Sequence, residues 1–352
     1  MIFRQLFDSA SSTYTYILGC SQTREAVVID SVFERHARDS ALIRELGLNV
    51  RYALDTHVHA DHVTGSWLLR ESLGAETVIA RSAEVADADI AADHGDVFAF
   101  GNESVSVRAT PGHTDGCLSF VTREQDMVFT GDCLLIRGAG RTDFQAGDAH
   151  LLWRSIREQI FSLPDTCLIY PGHDYEGRTV STVAEEKAFN PRIGGEAREE
   201  DFVGYMSNMN LPHPRLIDIA VPANLRGGRP EGGQPAQEIT WGPVSVSFAG
   251  IPEILPDWVA RHQQELFLLD VRSEGEFMGE LGHLGQATLI PLEQLRERLA
   301  EIPDDKPVIT ICQSGKRSAM AAQILIQAGI DRAANLAGGM IQWNRLGLPV
   351  ME

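Results

Sequence analysis

The segment Thr56-His57-Val58-His59-Ala60-Asp61-His62 constrains this chain more than any other. It directly follows the β-rich run VRYALDT (50–56) and sets three histidines and one aspartate within six residues. In a loop at a strand end, the alternate residues His57 and His59 can converge on one point while Asp61 and His62 face another. Downstream come Pro111-Gly112-His113-Thr114, Thr130-Gly131-Asp132 and Pro171-Gly172-His173, each just after a predicted strand. Five of the eleven histidines therefore sit in strand-end loops. Neutral imidazole and carboxylate are ligands for zinc, iron and manganese. The glycine before His113, Asp132 and His173 is expected to let the backbone turn tightly, so that each side chain points at a shared centre.

The strands that carry these loops alternate with turns. VVID (27–30), TVIA (77–80), SVSVRAT (104–110), LSFVT (118–122) and MVFTGD (127–132) read as further strands. Helices are expected over 67–74 and over 150–163, where Leu152, Ile156, Ile160 and Leu163 recur at helical spacing behind a capping Asp148. At 352 residues two domains are expected. NLRGGRPEGGQPAQ (224–237), rich in Gly and Pro, breaks the rhythm. The division expected is a first domain over 1–225, a linker over 226–250 and a second domain over 251–352. In the second, LFLLDVR (266–272) and PVITIC (307–312) are near-continuous apolar runs, as in parallel strands covered on both faces. LEQLRERLAEI (292–302) and SAMAAQILIQAGI (318–330) read as its helices.

The complete HxHxDH…H…D…H pattern resembles the metallo-β-lactamase fold superfamily, which implies a four-layer αββα sandwich with a metal site at one edge of its two sheets. In that superfamily His57, His59 and His113 would serve one metal and Asp61, His62 and His173 a second, with Asp132 bridging. The ligands alone leave a dinuclear zinc hydrolase of the glyoxalase II type open. The surroundings are more specific. GDCLLIRGAGRTDFQAGD (131–148), NPRIG (190–194) and MNLPHPRLIDIAVPAN (209–224) resemble the persulfide dioxygenases, also called sulfur dioxygenases. That resemblance implies one non-haem Fe(II) held by His57, His113 and Asp132, a 2-His-1-carboxylate triad with three positions open for substrate sulfur and O₂. His59, Asp61, His62 and His173 would then orient the ligands and hold waters by hydrogen bonds. The implied reaction takes glutathione persulfide, O₂ and water to glutathione and sulfite.

Glutathione brings two carboxylates, and the chain as a whole carries a net charge of −19. Local cations must therefore receive it. Arg141, Arg192 and the hydroxyl of Tyr175 match positions that contact glutathione in the family, and Arg can hold a carboxylate bidentately. Arg137, Arg178 and Lys187 lie nearby in sequence. Cys117 and Cys133 sit in or beside apolar strand sequence, where a thiol behaves as a small hydrophobe. Strand alternation points Cys133 away from its neighbour Asp132.

A second constellation closes PVITIC: Cys312 is followed by Gln313-Ser314-Gly315-Lys316-Arg317 and then by a helix. A thiol held there faces successive backbone N–H groups, a helix N-terminus and two cations, all of which favour its thiolate. The loop resembles that of the rhodanese family, as do LLDVRSEGEF (268–277), GHLGQATLIP (282–291) and NLAGGM (335–340). This implies a rhodanese-like α/β domain with a parallel sheet, and Cys312 as the nucleophile that accepts sulfur. The two resemblances together imply sulfur transfer between thiosulfate and glutathione through Cys312, in either direction, coupled to oxidation of glutathione persulfide; a tether raises the effective concentration of one site for the other.

The acidic balance argues against a nucleic-acid partner. No apolar run is long enough for a membrane span, and no signal peptide is read. Five cysteines at irregular spacing fit a reducing cytoplasm rather than a disulfide framework. A homo-oligomer is compatible with all of this.

Overall fold

Residues 1–209, 211–212, 214–230 and 241–351 are described in the computed structural model of the protein. The chain divides into two compact units, residues 1–36 with 46–235 and residues 37–45 with 236–352.

The first unit contains two six-stranded sheets. One sheet lays β1 (Ile2–Asp8), β2 (Thr13–Gly19), β3 (Glu25–Ile29), β4 (Asn49–Leu54), β5 (Glu76–Ala80) and β6 (Ile90–Ala92) side by side in chain order. The pairs β1–β2 and β2–β3 are antiparallel and the rest parallel. The other sheet runs through β7 (Val97–Phe100), β8 (Glu103–Ala109), β9 (Leu118–Thr122), β10 (Met127–Gly131), β11 (Leu168–Pro171) and β12 (Ser181–Thr182). It is antiparallel except for β10–β11. Tyr16, Leu18, Val27, Ile29 and Leu54 of the first sheet share one buried cluster with Phe100, Val105, Val107, Phe120 and Phe129 of the second. Each such side chain contributes up to about 1.5–3 kcal/mol when fully withdrawn from water. In the chain, helix α1 (His36–Glu45) follows β3, but its residues 37–45 fall in the second unit; within the first, α2 (Ser66–Leu73) packs against β4 and β5. Val121, Val128 and Ile169 on the outer face of the second sheet pack with Leu152 of α3 (Ala149–Ser155), Val183 of α4 (Val183–Phe189) and Phe202 of α5 (Glu199–Met206). The layers are helix, sheet, sheet, helix. A further helix, α6 (Ile217–Asn224), ends this unit's regular structure.

Asp148 caps α3 as the sequence predicts, accepting from the backbone N–H of His150 and Leu151. The expected helix over 150–163 is shorter and changes character. After Ser155 it widens into a π turn over Ile156–Ile160, closed by Phe161 N–H donating to the Ile156 carbonyl. Ile156, Ile160 and Leu163 stay buried through the change. The β1–β2 hairpin lies outside the strands read from sequence. Its second strand, TYTYILG, is buried throughout, and Thr13 and Thr15 find hydrogen-bond partners inside.

Of the linker expected over 226–250, residues 231–240 lie outside the described residues, and β13 (Ser245–Val246) falls within the remainder. The second unit's sheet has the order β13, β14 (Pro252–Ile254), β18 (Ala333–Leu336), β17 (Val308–Ile311), β15 (Phe267–Asp270), β16 (Thr288–Leu289). All its pairs are parallel except β13–β14. Helices α7 (Pro256–His262) and α10 (Gly339–Arg345) supply Val259, Met340 and Trp343 to the cluster on one face. The short α8 (Glu274–Phe277) follows β15, and α9 (Lys316–Gln327) supplies Ala321 and Leu325 to the opposite face. The helix expected over 292–302 is instead two 3₁₀ turns, Leu292–Gln294 and Leu299–Glu301. Pro291 and Pro303 bound the segment, and the residue before a proline is steered away from helical geometry. The turns still bury Leu295 and Ile302.

Candidate functional site

The loops that follow β4, β8, β10 and β11 meet in the first unit. His57, His113 and Asp132 bring one ligand atom each within 4.8 Å of one another, and His113 Nε2 stands 3.6 Å from Asp132 Oδ2. Gly112 and Gly131 turn with positive φ (135° and 50°) as the sequence suggests, but Gly172 does not. It is needed for room, since a Cβ there would lie 2.9 Å from Asp132 Oδ1.

Each imidazole's tautomer follows from its outer partner. Thr56 Oγ1 donates its one proton to Asp30 Oδ2 at 2.9 Å, so the 2.9 Å contact with His57 Nδ1 requires that nitrogen to be the donor. His113 Nδ1 donates to the Arg141 carbonyl at 2.6 Å. In its neutral form each ring therefore presents its lone pair on Nε2. Burial, with His59 and His113 beside it, holds His57 well below the ordinary imidazole value and so neutral. Burial alone would raise the Asp132 carboxyl, but the His173 charge holds it below the usual carboxylate range. Two imidazoles and one carboxylate are a donor set that fits a divalent transition metal.

The other sequence-predicted residues surround these three. His173 Nδ1 lies 2.6 Å from Asp132 Oδ1 and its Nε2 lies 2.9 Å from Asp61 Oδ2. Carboxylates only accept, so both ring nitrogens carry protons. Burial opposes that charge, but Asp132 and Asp61 raise His173 well above the ordinary value. His62 Nδ1 donates to Asp61 at 2.9 Å and His59 Nε2 to Asp30 at 3.2 Å, which leaves His62 Nε2 and His59 Nδ1 buried without a partner among the described residues. His59, Asp61 and His62 form a second group with metal-binding spacing.

Two contributors escape a reading of the sequence. Thr13 Oγ1 on the β1–β2 hairpin stands 3.0 Å from His173 Nε2 and 3.2 Å from Asp61. Nothing in TYTY distinguishes it from an ordinary strand threonine. Asp30 receives Thr56 N–H and Oγ1 and His59 Nε2. An aspartate closing the apolar run VVI, on the strand beside β4, was the available signal.

His57, His113 and Asp132 open into a cavity of 780 Å³ that is also lined by Arg137, Arg141, Tyr175, Arg178 and Arg192. Lys187 is not among its lining residues and pairs with Asp165 at 2.6 Å. Arg141 is bound to both Asp143 oxygens and to the carbonyls of Leu211 and Pro212. Arg137 pairs with Glu186, and Arg178 with Asp174. Arg192 donates to the Ala139 carbonyl, lies over the Tyr205 ring and keeps its charge uncompensated among the described residues. Arg215, absent from the sequence expectation, lines the same cavity and makes no ion pair among the described residues. Tyr175 is 72% exposed and stacks on His173.

In the second unit Cys312 directly follows β17 at 1% exposure, and its Sγ accepts from Gly315 N–H at 3.2 Å and Ser318 Oγ at 3.1 Å. Gln313, Ser314 and Lys316 are exposed over it. Met340 N–H and Ile341 N–H at the start of α10 hold the Cys312 and Gln313 carbonyls. Of the two expected cations, Arg317 is spoken for: Glu276 takes it bidentately, at 2.8 Å from Nη1. The carboxylate is locked in turn by Ser273 N–H and Oγ. The other four cysteines are free and buried. Burial pushes the Cys117 thiol up to about 12 and Cys133 well above the usual range.

Residues 9–173 match the family model of the metallo-beta-lactamase superfamily and residues 255–346 that of the rhodanese-like domain. Over 229 residues the chain is 54% identical to "Persulfide dioxygenase ETHE1, mitochondrial" of Mus musculus, which covers 65% of this chain and 89% of that protein. The crystal structure of ETHE1 from Myxococcus xanthus superposes with a TM-score of 0.63 at 52% identity, over 65% of this chain and 100% of that one. A metallo-beta-lactamase from Staphylococcus aureus subsp. aureus COL shares 24% identity with a TM-score of 0.61, over 96% of this chain and 98% of that one, a likeness of fold.

Proposed function

The chain belongs to the persulfide dioxygenase family of the metallo-β-lactamase superfamily and carries a rhodanese-like domain, and from that premise we propose that it oxidises glutathione persulfide with O₂ to glutathione and sulfite at a single ferrous ion, while Cys312 moves sulfane sulfur between thiosulfate and glutathione. The supporting observation is the lock on the two imidazoles. Thr56 and the Arg141 carbonyl hold His57 and His113 with Nε2 free beside the ionised Asp132. When bound there, iron would supply the redox chemistry and open positions for sulfur and O₂. The protein's residues do the rest. His173, held by Asp61 and Thr13, anchors Asp132 and keeps its charge. Arg192 meets a glutathione carboxylate with a charge that no acid among the described residues offsets, whereas Arg141 and Tyr175 shape the wall and hold the peptide by hydrogen bonds. Phe144, Leu135 and Ile136 give the cavity its apolar lining around the persulfide.

At the second site the Cys312 thiolate attacks the sulfane sulfur of thiosulfate. A new S–S bond forms, the S–SO₃ bond breaks, and sulfite leaves with its electron pair. Glutathione thiolate then takes the terminal sulfur and returns Cys312 as thiolate. The unpaired cysteines fit a reducing compartment, the cytoplasm in this reading. Among the described residues no helix is long and apolar enough to cross a membrane.

A two-zinc thioester hydrolase is the second reading, favoured by the unpartnered lone pairs of His59 Nδ1 and His62 Nε2. Against it stands His173, whose two nitrogens both face carboxylates. One preparation decides between them. Iron and zinc are counted per chain, and oxygen uptake with glutathione persulfide is followed beside hydrolysis of S-lactoylglutathione. One iron with oxygen uptake is expected; two zincs with thioester hydrolysis would replace the dioxygenase by the hydrolase.

A further inference from the structure

We propose that Ser318 is a catalytic residue acting on the Cys312 sulfur, and that Asn335, oriented by Glu253, competes with that sulfur for the single Ser318 proton. The proposal rests on the sulfur-carrying role given above to Cys312.

Ser318 is fully buried in the first turn of α9, with its Oγ 3.1 Å from Cys312 Sγ and 2.6 Å from Asn335 Oδ1. Asn335, 1% exposed on β18, donates from Nδ2 to Glu253 Oε1 on β14 at 2.8 Å. A carboxylate only accepts, so Glu253 turns the amide's NH₂ toward itself and leaves the amide oxygen facing Ser318. That oxygen also only accepts. Ser318 has one proton and two neighbours that need it.

The protonation state of Cys312 decides which neighbour receives it. A neutral thiol can donate its own hydrogen to Ser318 Oγ, so the serine proton goes to Asn335. An anionic sulfur has no hydrogen to give, and the charge-assisted bond from Ser318 outweighs the neutral one to the amide. Asn335 Oδ1, on a residue 1% exposed, then loses its partner, which costs free energy. Ser318 therefore favours the thiolate, and Asn335 in its Glu253-fixed orientation holds that preference back. The transfer cycle makes use of both states. When Cys312 attacks, its charge passes to the terminal sulfur and the serine proton is released to Asn335. When glutathione removes the terminal sulfur, Cys312 leaves as thiolate and Ser318 donates again. The other charges around the sulfur stay as they are: Lys316, Arg317 with Glu276, and the buried Asp270–Arg272 pair at the end of the adjacent β15.

The test follows alkylation of Cys312 by iodoacetamide across pH in the full chain, read on the Cys312 peptide by mass spectrometry, beside thiosulfate:glutathione sulfur transfer. Ser318→Ala should move the alkylation midpoint up by about one pH unit and slow the reaction at pH 7 about tenfold. Glu253→Gln should do the reverse. A glutamine can donate to Asn335 Oδ1 and let the amide turn over, so that Asn335 donates to Ser318 and leaves the serine proton to the sulfur. Alkylation at pH 7 should rise by about threefold. An unmoved midpoint in Ser318→Ala overturns the direct role, and a midpoint that stays or moves up in Glu253→Gln overturns the competition. If Ser318→Ala does not fold, the conservative Glu253→Gln decides alone. Absence of sulfur transfer in the parent chain would instead sink the carrier role of Cys312, and the alkylation profiles would still report on the serine.

Discussion

The metal pocket and the thiol loop hold their reactive atoms by different means. The pocket draws His57, His113, Asp132 and His173 from four loops after β4, β8, β10 and β11, and every donor is a side chain. Such atoms rotate, so each is fixed by a partner behind it: Thr56 for His57, the Arg141 carbonyl for His113, His173 for Asp132. The thiol loop is one continuous stretch, the four residues Cys312–Gly315 between β17 and α9 with Lys316 and Arg317 opening the helix, and its nearest backbone donor is the Gly315 N–H, positioned by the turn itself. A site assembled from distant side chains depends on the hydrogen bonds outside it. A site made of one loop depends on the strand and helix that bound it.

The largest effects should come from removing one reactive atom on each side. Asp132→Ala is expected to lose the bound metal and to lower oxygen uptake with glutathione persulfide by about 100-fold or more, leaving Cys312 alkylation unchanged. Cys312→Ser is expected to abolish thiosulfate:glutathione sulfur transfer and to leave oxygen uptake intact. Metal analysis and an oxygen electrode on the two variants check this. Loss of both activities in either variant would break the comparison, since the sites would then not be independent.

The contrast also explains which features were legible beforehand. A contiguous loop is visible in sequence, and Cys312-Gln313-Ser314-Gly315-Lys316-Arg317 could be read whole. The pocket ligands were legible because each comes within a few residues of the end of a β-rich run, as His57 follows VRYALDT and Asp132 follows MVFTG. The parts that hold them were not. Thr13 belongs to a hairpin whose alternating Thr and Tyr are all buried, so polarity gave no phase. Charge compensation was hidden as well. Arg317 meets a glutamate 41 residues away and Arg137 one 49 residues away, distances that only the folded sheets close. The predicted helix over 292–302 failed because hydrophobic spacing of three and four also suits 3₁₀ turns between two prolines.

A smaller effect should come from the hydrogen bonds behind the metal pocket. Asp30→Asn keeps the side chain's shape but replaces one acceptor oxygen with a donor, in a place where Thr56 N–H, Thr56 Oγ1 and His59 Nε2 all now donate. With Thr56 no longer obliged to give its proton to residue 30, it can donate to His57 Nδ1, and that ring can shift to the tautomer that carries hydrogen on Nε2. Metal affinity should fall by about 10–100-fold while the fold is retained. Competition with a chelator, alongside circular dichroism, measures this. Unchanged affinity would mean that His57 needs no orienting partner, and the distinction drawn between the two sites would weaken.

The thiol loop should be much less sensitive to its outer partners, and Glu276→Gln measures how much. The Arg317 hydrogen bonds pull the Glu276 carboxyl from its ordinary 4.5 down to about 2. A carboxyl lowered by folding stabilises the native state above its unfolded value, and that contribution is lost as pH falls from about 4.5 toward 2. Gln keeps the hydrogen bond to Ser273 that caps α8 but not the charge. The parent should therefore melt higher than Glu276→Gln by about 2 °C at neutral pH, a small difference because the pair is partly exposed. The gap should close progressively below pH 4.5. Thermal melts of both chains at pH 7 and across the acid range read it directly. A large gap at neutral pH, accompanied by a collapse in Cys312 alkylation, would show that this loop depends on the Arg317–Glu276 pair as strongly as the metal pocket depends on Asp30.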